Sequence, residues 1–330
     1  MAALDLTRNL QRASRLKTYS HLASTQRVPT EYEVVTSKLL WYVGRGFEVD
    51  VPLAEWYARH QTGSPLAIDD WDRFVDPRET TYASYVRLQR DSEAFADGVL
   101  RTIEQRRHDE SLPPEWVRTL ERVLPVMRYP SHAMQMLSAY VGQVAPGGRI
   151  VIACALQAAD EVRRIQRVVE RSVLLRRTHS GFGLNARALW ETEPAWQPLR
   201  EAVERALVVW DWGEAFVALD LCIAPVFDEV IMVRFADLAG QRGDPLLQPF
   251  FESLREDCAW HRAWAGALVT TALREQSANR AVIERWLAVW APRARAAARA
   301  LDALFEPDTV ADEALRTHST FIASLGLTPP

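Results

Sequence analysis

The chain has 330 residues, 48% of them apolar and 25% charged, with a formal charge of −4. That acidic balance argues against a nucleic-acid binder, which carries a basic excess to meet phosphates. No apolar run reaches the ~18 residues of a membrane span, and the first residues lack the apolar stretch of a signal peptide. Three scattered cysteines, Cys154, Cys222 and Cys258, read as reduced core residues of a cytoplasmic protein rather than a disulfide framework.

Residues 1–80 form no periodic pattern, and the sequence predicts an extended, irregular arm there. The arm carries Trp41, Tyr42, Trp56, Tyr57, Trp71 and Phe74. Eighty residues without a regular element are improbable as an internal loop, so the arm is expected to serve subunit contacts with these aromatics as anchors. The alternative is an arm laid along its own chain. Residues 81–330 read as a helical bundle. A helix from about Thr80 to Arg107 carries Tyr82, Tyr85, Phe95 and Leu100 on apolar spacings. Pro113 and Pro114 open the next, with a bend expected at Pro130 and a stop at Pro146, Gly147 and Gly148. A long helix follows to about Thr178, then helical segments from Pro194 onward. The run from Trp210 to Glu229 is apolar on nearly all sides, as in a buried helix, and Pro225 should kink or divide it. Helices from Pro245 to Glu275, Arg280 to Phe305 and Asp312 to Leu325 complete the chain.

One stretch points to chemistry. In ferritin-like diiron bundles two helices each give one Glu and two others each give Glu-x-x-His, whose spacing sets both side chains on one helix face. Here Asp160, Glu161, Arg163 and Gln166 match the frame of such a helix, but Arg164 stands where the His belongs. A guanidinium has no lone pair for a metal. The bland alternative is an ordinary surface pair three residues apart. A second copy is predicted downstream and is also broken. Glu214 stands as a lone carboxylate in the apolar helix, followed by Asp257 with Trp260, or Cys258 with His261, at the Glu-x-x-His spacing. In the first half, Tyr129 to Met136 offers His132 and Gln135 but no carboxylate.

At this point the chain resembles the β subunits of bacterial multicomponent monooxygenase hydroxylases, most of all those of toluene monooxygenases. The likeness rests on Pro29 to Leu39 (PTEYEVVTSKL), Trp56-Tyr57, Ser64-Pro65-Leu66, Trp71-Asp72, Phe74 and Asp76-Pro77. It continues through Ser138 to Gln143 (SAYVGQ), Ala145-Pro146, Trp190 to Gln197 (WETEPAWQ) and Asp211 to Val217 (DWGEAFV). The resemblance implies an all-α, ferritin-like helical bundle with no metal site of its own. Glu161, Arg164, Glu214, Asp257, Trp260 and His261 are then vestigial ligand positions. It implies no cofactor in this chain, with the diiron centre in a partner α subunit. The implied partners are α and γ subunits and a second αβγ protomer, served by a reductase, a ferredoxin and an effector protein. Toluene, phenol, alkene and isoprene oxygenases share this plan, and the substrate pocket belongs to α. Two other readings compete: an independent enzyme holding one metal on Glu161, Glu214, Asp257 and His261, and a helical small-ligand binder with a Trp-rich pocket.

Overall fold

The computed structural model describes residues 29–37, 39 and 52–329, and every regular element among them is helical. The predicted anchors Trp41 and Tyr42 lie outside the described residues. Helices are numbered in chain order: α1 (Glu31–Thr36), α2 (Pro52–Tyr57), α3 (Tyr82–Gln105), α4 (Pro114–Val123), α5 (Arg128–Val144) and α6 (Gly148–Thr178). There follow α7 (Ala186–Thr192), α8 (Gln197–Ala206), a continuous run α9 (212–241), α10 (Leu247–Glu275), α11 (Asn279–Leu301) and α12 (Ala311–Ser324).

Helix starts follow local chemistry. Thr30 with Glu33, and Thr81 with Ser84, form reciprocal capping boxes, and Asp211 accepts the Gly213 and Glu214 backbone N–H groups. Pro130 falls in the first turn of α5, after a break at residues 124–127, so no bend is needed. A proline there lacks an N–H that would have no intrahelical partner anyway.

Four helices, α5, α6, α9 and α10, surround the centre of the bundle, with α3 laid across α6 and α10 and α11 across α8 and α9. Helices α5 and α6 approach closely enough that a Cβ on Gly142 would stand 2.9 Å from the Cys154 Cβ. Ser138 Oγ donates to the Cys154 carbonyl across the same contact. Pro225 neither divides nor ends α9. The helix widens into π turns at Val217–Ile223 and Glu229–Phe235, on either side of the proline. The Leu221 carbonyl, four residues before the proline, accepts instead from His318 Nε2 at 2.7 Å. Burial holds the His318 pKa below its ordinary value, so this ring is a neutral Nε2–H donor.

The described part of the arm is more regular than expected, and its packing follows the alternative of an arm laid along its own chain. It contains α1, α2 and a 3-10 turn at Trp71–Arg73, and it packs on its own bundle. Trp71 meets Trp212 edge-on at 5.0 Å, and Phe74, fully buried, meets Trp264 at 6.5 Å. The Arg149 guanidinium donates to the Asp72 and Phe74 carbonyls and to the Thr36 and Ser37 hydroxyls, tying the arm to α6. Trp71 and Phe74 are therefore spent on this chain's own core and are unavailable as anchors on another subunit. Trp56 and Tyr57 stay half-buried. Trp56 lies against Trp210 at 5.3 Å, and the Tyr57 hydroxyl donates to the Gln143 carbonyl.

Candidate functional site

The centre of the bundle is polar and charged. The Glu161-to-Arg164 spacing on α6 sets both side chains inward, and both are buried. Arg164 Nη1 stands 3.1 Å from Glu161 Oε2 and 3.1 Å from Asp228 Oδ1 of α9, and Nη2 stands 3.1 Å from Cys258 Sγ of α10. Arg164 is thus paired with two carboxylates and a thiol inside the bundle rather than exposed as an ordinary surface pair. On the same face His261 Nε2 contacts Asp160 Oδ2 at 2.9 Å, while Tyr85 and Gln89 of α3 donate to Asp160 Oδ1. Because a carboxylate accepts, His261 Nε2 carries a proton.

A second layer carries the network outward. Gln89 also donates to Asp257 Oδ1, and Arg163 Nη1 donates to Asp257 Oδ2 at 2.7 Å. Arg163 and Arg167 then reach Glu93 at the bundle surface. Deeper in, Gln157 donates to Asp220 Oδ1 at 2.7 Å and accepts from Trp264 Nε1 at 2.9 Å.

Electrostatics follow from burial. Desolvation pushes the Glu161 carboxyl up to about 7, against the opposing pull of the Arg164 charge and with the help of the neighbouring Asp228. Desolvation likewise lifts Asp220 to about 7, offset in part by the Gln157 hydrogen bond. Asp257 rises to about 6 by burial and by the nearby Asp160, with Arg163 pulling it back. Burial opposes the charge on His261, but the Asp160 hydrogen bond and charge outweigh it, and its pKa is raised. Cys258 is held well above the ordinary thiol range by burial.

Of the sequence-predicted positions, the structure brings together Glu161, Arg164 and His261, with Asp257 in the surrounding layer. Two do not belong. Glu214 is half-buried in the first turn of α9 and accepts from Trp290 Nε1 at 3.1 Å, away from the centre. Trp260 donates to Asp76 of the arm and lies under the Arg78 guanidinium at 4.5 Å. Of the two downstream frames, Cys258 with His261 is the one that faces inward. Neither His132, which is exposed, nor half-buried Gln135 fills the lone-ligand role on α5. Sequence reasoning missed Asp228, Asp220 and Gln157. The available signal was a pair of acids eight residues apart, about two turns, in an otherwise apolar helix.

These residues do not fit a diiron centre. One Glu-x-x-His position is a guanidinium and another is a thiol. Among the described residues no three His, Cys, Asp or Glu groups are placed to hold a metal. Among the described residues, Trp116, Trp196, Trp212 and Trp264 are buried in packing. A surface cavity of about 460 Å³ on α12, lined by Glu313, Arg316, Thr317, Thr320, Phe321 and Ser324, has no tryptophan in its lining.

Comparisons with known proteins agree with this architecture. The family model "Methane/Phenol/Alkene Hydroxylase" matches residues 56–276. The toluene-4-monooxygenase hydroxylase component subunit beta of Ectopseudomonas mendocina is 36% identical, over 94% of this chain and 97% of its own. The phenol 2-monooxygenase oxygenase component DmpL of Pseudomonas sp. (strain CF600) is 26% identical, over 82% of this chain and 83% of its own. A solved structure of toluene 4-monooxygenase, with toluene in its resting active site, superposes with a TM-score of 0.84 at 37% identity, covering 88% of this chain and 97% of that one. The chain belongs to the methane/phenol/alkene hydroxylase family, and its likeness to a hydroxylase β subunit runs nearly end to end.

Proposed function

We propose that this chain is the non-catalytic β subunit of a diiron aromatic-hydrocarbon hydroxylase of the toluene monooxygenase type. It supports a catalytic α subunit in an (αβγ)2 assembly, which an NADH-dependent reductase, a ferredoxin and an effector protein serve. The observation that carries the reading is Arg164, whose guanidinium stands between Glu161, Asp228 and Cys258 where a metal ligand would be needed. The iron and its oxygen chemistry belong to α in this reading, and β supplies a stable helical scaffold. No helix among the described residues is long and apolar enough to cross a membrane, which accords with action in the cytoplasm. Co-expression with the candidate α and γ chains should give a complex whose iron tracks α, while the chain purified alone holds none in stoichiometric amount. About two irons per isolated chain, with carboxylate-bridged spectroscopic features, would overturn the proposal.

The arm is proposed to serve assembly by its outer face. Its inner residues, Tyr32, Leu66, Trp71 and Phe74, are buried, whereas Val35, Leu39, Leu53 and Val75 are exposed. An element pinned on one side and apolar on the other suits a layer between two subunits. Deleting residues 1–60 should leave helical circular dichroism nearly intact while abolishing co-purification with α; full-affinity assembly of the truncated chain would refute this role.

A further inference from the structure

Helices α11 and α12 run antiparallel, joined by a turn in which Asp302 Oδ1 accepts the Val310 and Ala311 backbone N–H groups. At the turn end of the pair Arg299 meets Asp312 at 3.5 Å, and at the far end Arg280 donates to the Gly326 carbonyl. Next to the turn the two helices frame a surface notch of about 420 Å³. Arg295 and Arg299, four residues apart on one face of α11, line it together with Arg316, Ser319 and Thr320 of α12. Three guanidiniums thus share one lining carboxylate, that of Asp312. Among the described residues Arg295 and Arg316 form no ion pair, and the neighbouring Glu313 is held by Arg234 at 2.7 Å. Like charges gathered in this way cost stability rather than add to it, and they do so here on a chain of net charge −4. Burial, aided by the Arg295 charge, also holds the adjacent His318 below its ordinary pKa, so that ring brings no further cation. We propose that the notch between α11 and α12 docks an acidic segment of a partner protein, whose carboxylates Arg295, Arg299 and Arg316 receive.

The surroundings select this occupant. A guanidinium presents two parallel N–H groups that match the two oxygens of a carboxylate. The notch is open to water, with Arg299 and Arg316 exposed and Arg295 half-buried. A single small anion there would stay hydrated and screened, and its attraction would be weak. Several carboxylates on one chain act jointly, because the first contact raises the effective concentration of the next. The notch also adjoins the cavity beside Phe321, with which it shares Arg316 and Thr320. Side chains flanking the acids would therefore find an apolar surface to cover. Complementary charge of this kind speeds encounter and fixes orientation. The inference rests on this surface and stands independently of the subunit assignment.

The full chain would be titrated at neutral pH and low salt with a fluorescent hexaglutamate peptide, and separately with inorganic phosphate. The wild type should bind the peptide, and Arg295→Gln with Arg316→Gln should weaken that binding about tenfold. Arg90→Gln with Arg187→Gln removes the same charge from exposed positions on α3 and α7 and should weaken it less than about twofold. Arg316→Gln alone, at an exposed position that folding does not depend on, should already weaken it about threefold. No peptide binding by the wild type overturns the proposal, as do equal losses in the two paired variants or no loss in the first. Phosphate bound as tightly as the peptide also overturns it, because the notch would then be a small-anion site.

Discussion

Two buried arginines on α6, seven residues apart, hold their partners in different ways. Arg171, wholly inaccessible, grips Asp109 with both Nη atoms at 2.6 and 2.7 Å. Arg164 reaches two carboxylates and a thiol, all at 3.1 Å, and Nη1 lacks an aligned hydrogen bond to either carboxylate. A bidentate fork adds direction to charge, whereas a misaligned contact relies on charge alone. The difference teaches that Arg171 is held by direction as well as charge, and Arg164 chiefly by charge.

The widest separation between the two should come from truncation. Arg171→Ala leaves Asp109 buried and unpaired and should cost about 3–5 kcal/mol, the ordinary penalty for breaking a buried pair. Arg164→Ala should cost less, about 1–3 kcal/mol, because the Glu161 carboxyl is already poised to take a proton. Urea unfolding of both variants at neutral pH measures the gap. Equal costs would break the comparison.

A pH series sharpens it next. Glu161 in the fold is raised to about 7, above the ~4.3 of an unfolded Glu, so the fold binds more protons in that window. The stability tied to its protonated form is fully present below about pH 4 and is lost as pH rises through 7. Arg164 opposes that loss by favouring the charged form. Arg164→Ala should therefore cost little at pH 5 and about 1–2 kcal/mol more at pH 8. Arg171→Ala should show no comparable rise across the same range. Melting temperatures at both values test the contrast.

Lysine replacement gives the smallest and most specific separation. A point charge cannot reproduce the fork, so Arg171→Lys should cost about 1–2 kcal/mol, whereas Arg164→Lys keeps what matters at its site and should cost under about 1 kcal/mol. Chemical denaturation resolves differences of that size when the slopes agree.

How far the sequence reached depended on distance along the chain. Within one helix, the turn per residue fixes which side chains share a face, so Glu161 and Arg164 were legible together, and so were Cys258 and His261 as one of two frames. The segmentation into helices was legible too, because proline and glycine act locally: Pro114 and Gly147 mark boundaries the structure keeps. What packing decided was everything between helices. Rotation and offset of α9 against α6 brought Asp228, not Glu214, to Arg164, and π turns around Pro225 belong to that run. The rotation of α10 turned Cys258 and His261 inward and sent Trp260 to Asp76. The arm's Trp71 and Phe74 were drawn into this chain's own core against Trp212 and Trp264, because burying an aromatic needs only a complementary apolar face. Sequence spacing encodes direction around one axis, and only the packed bundle sets how those axes meet.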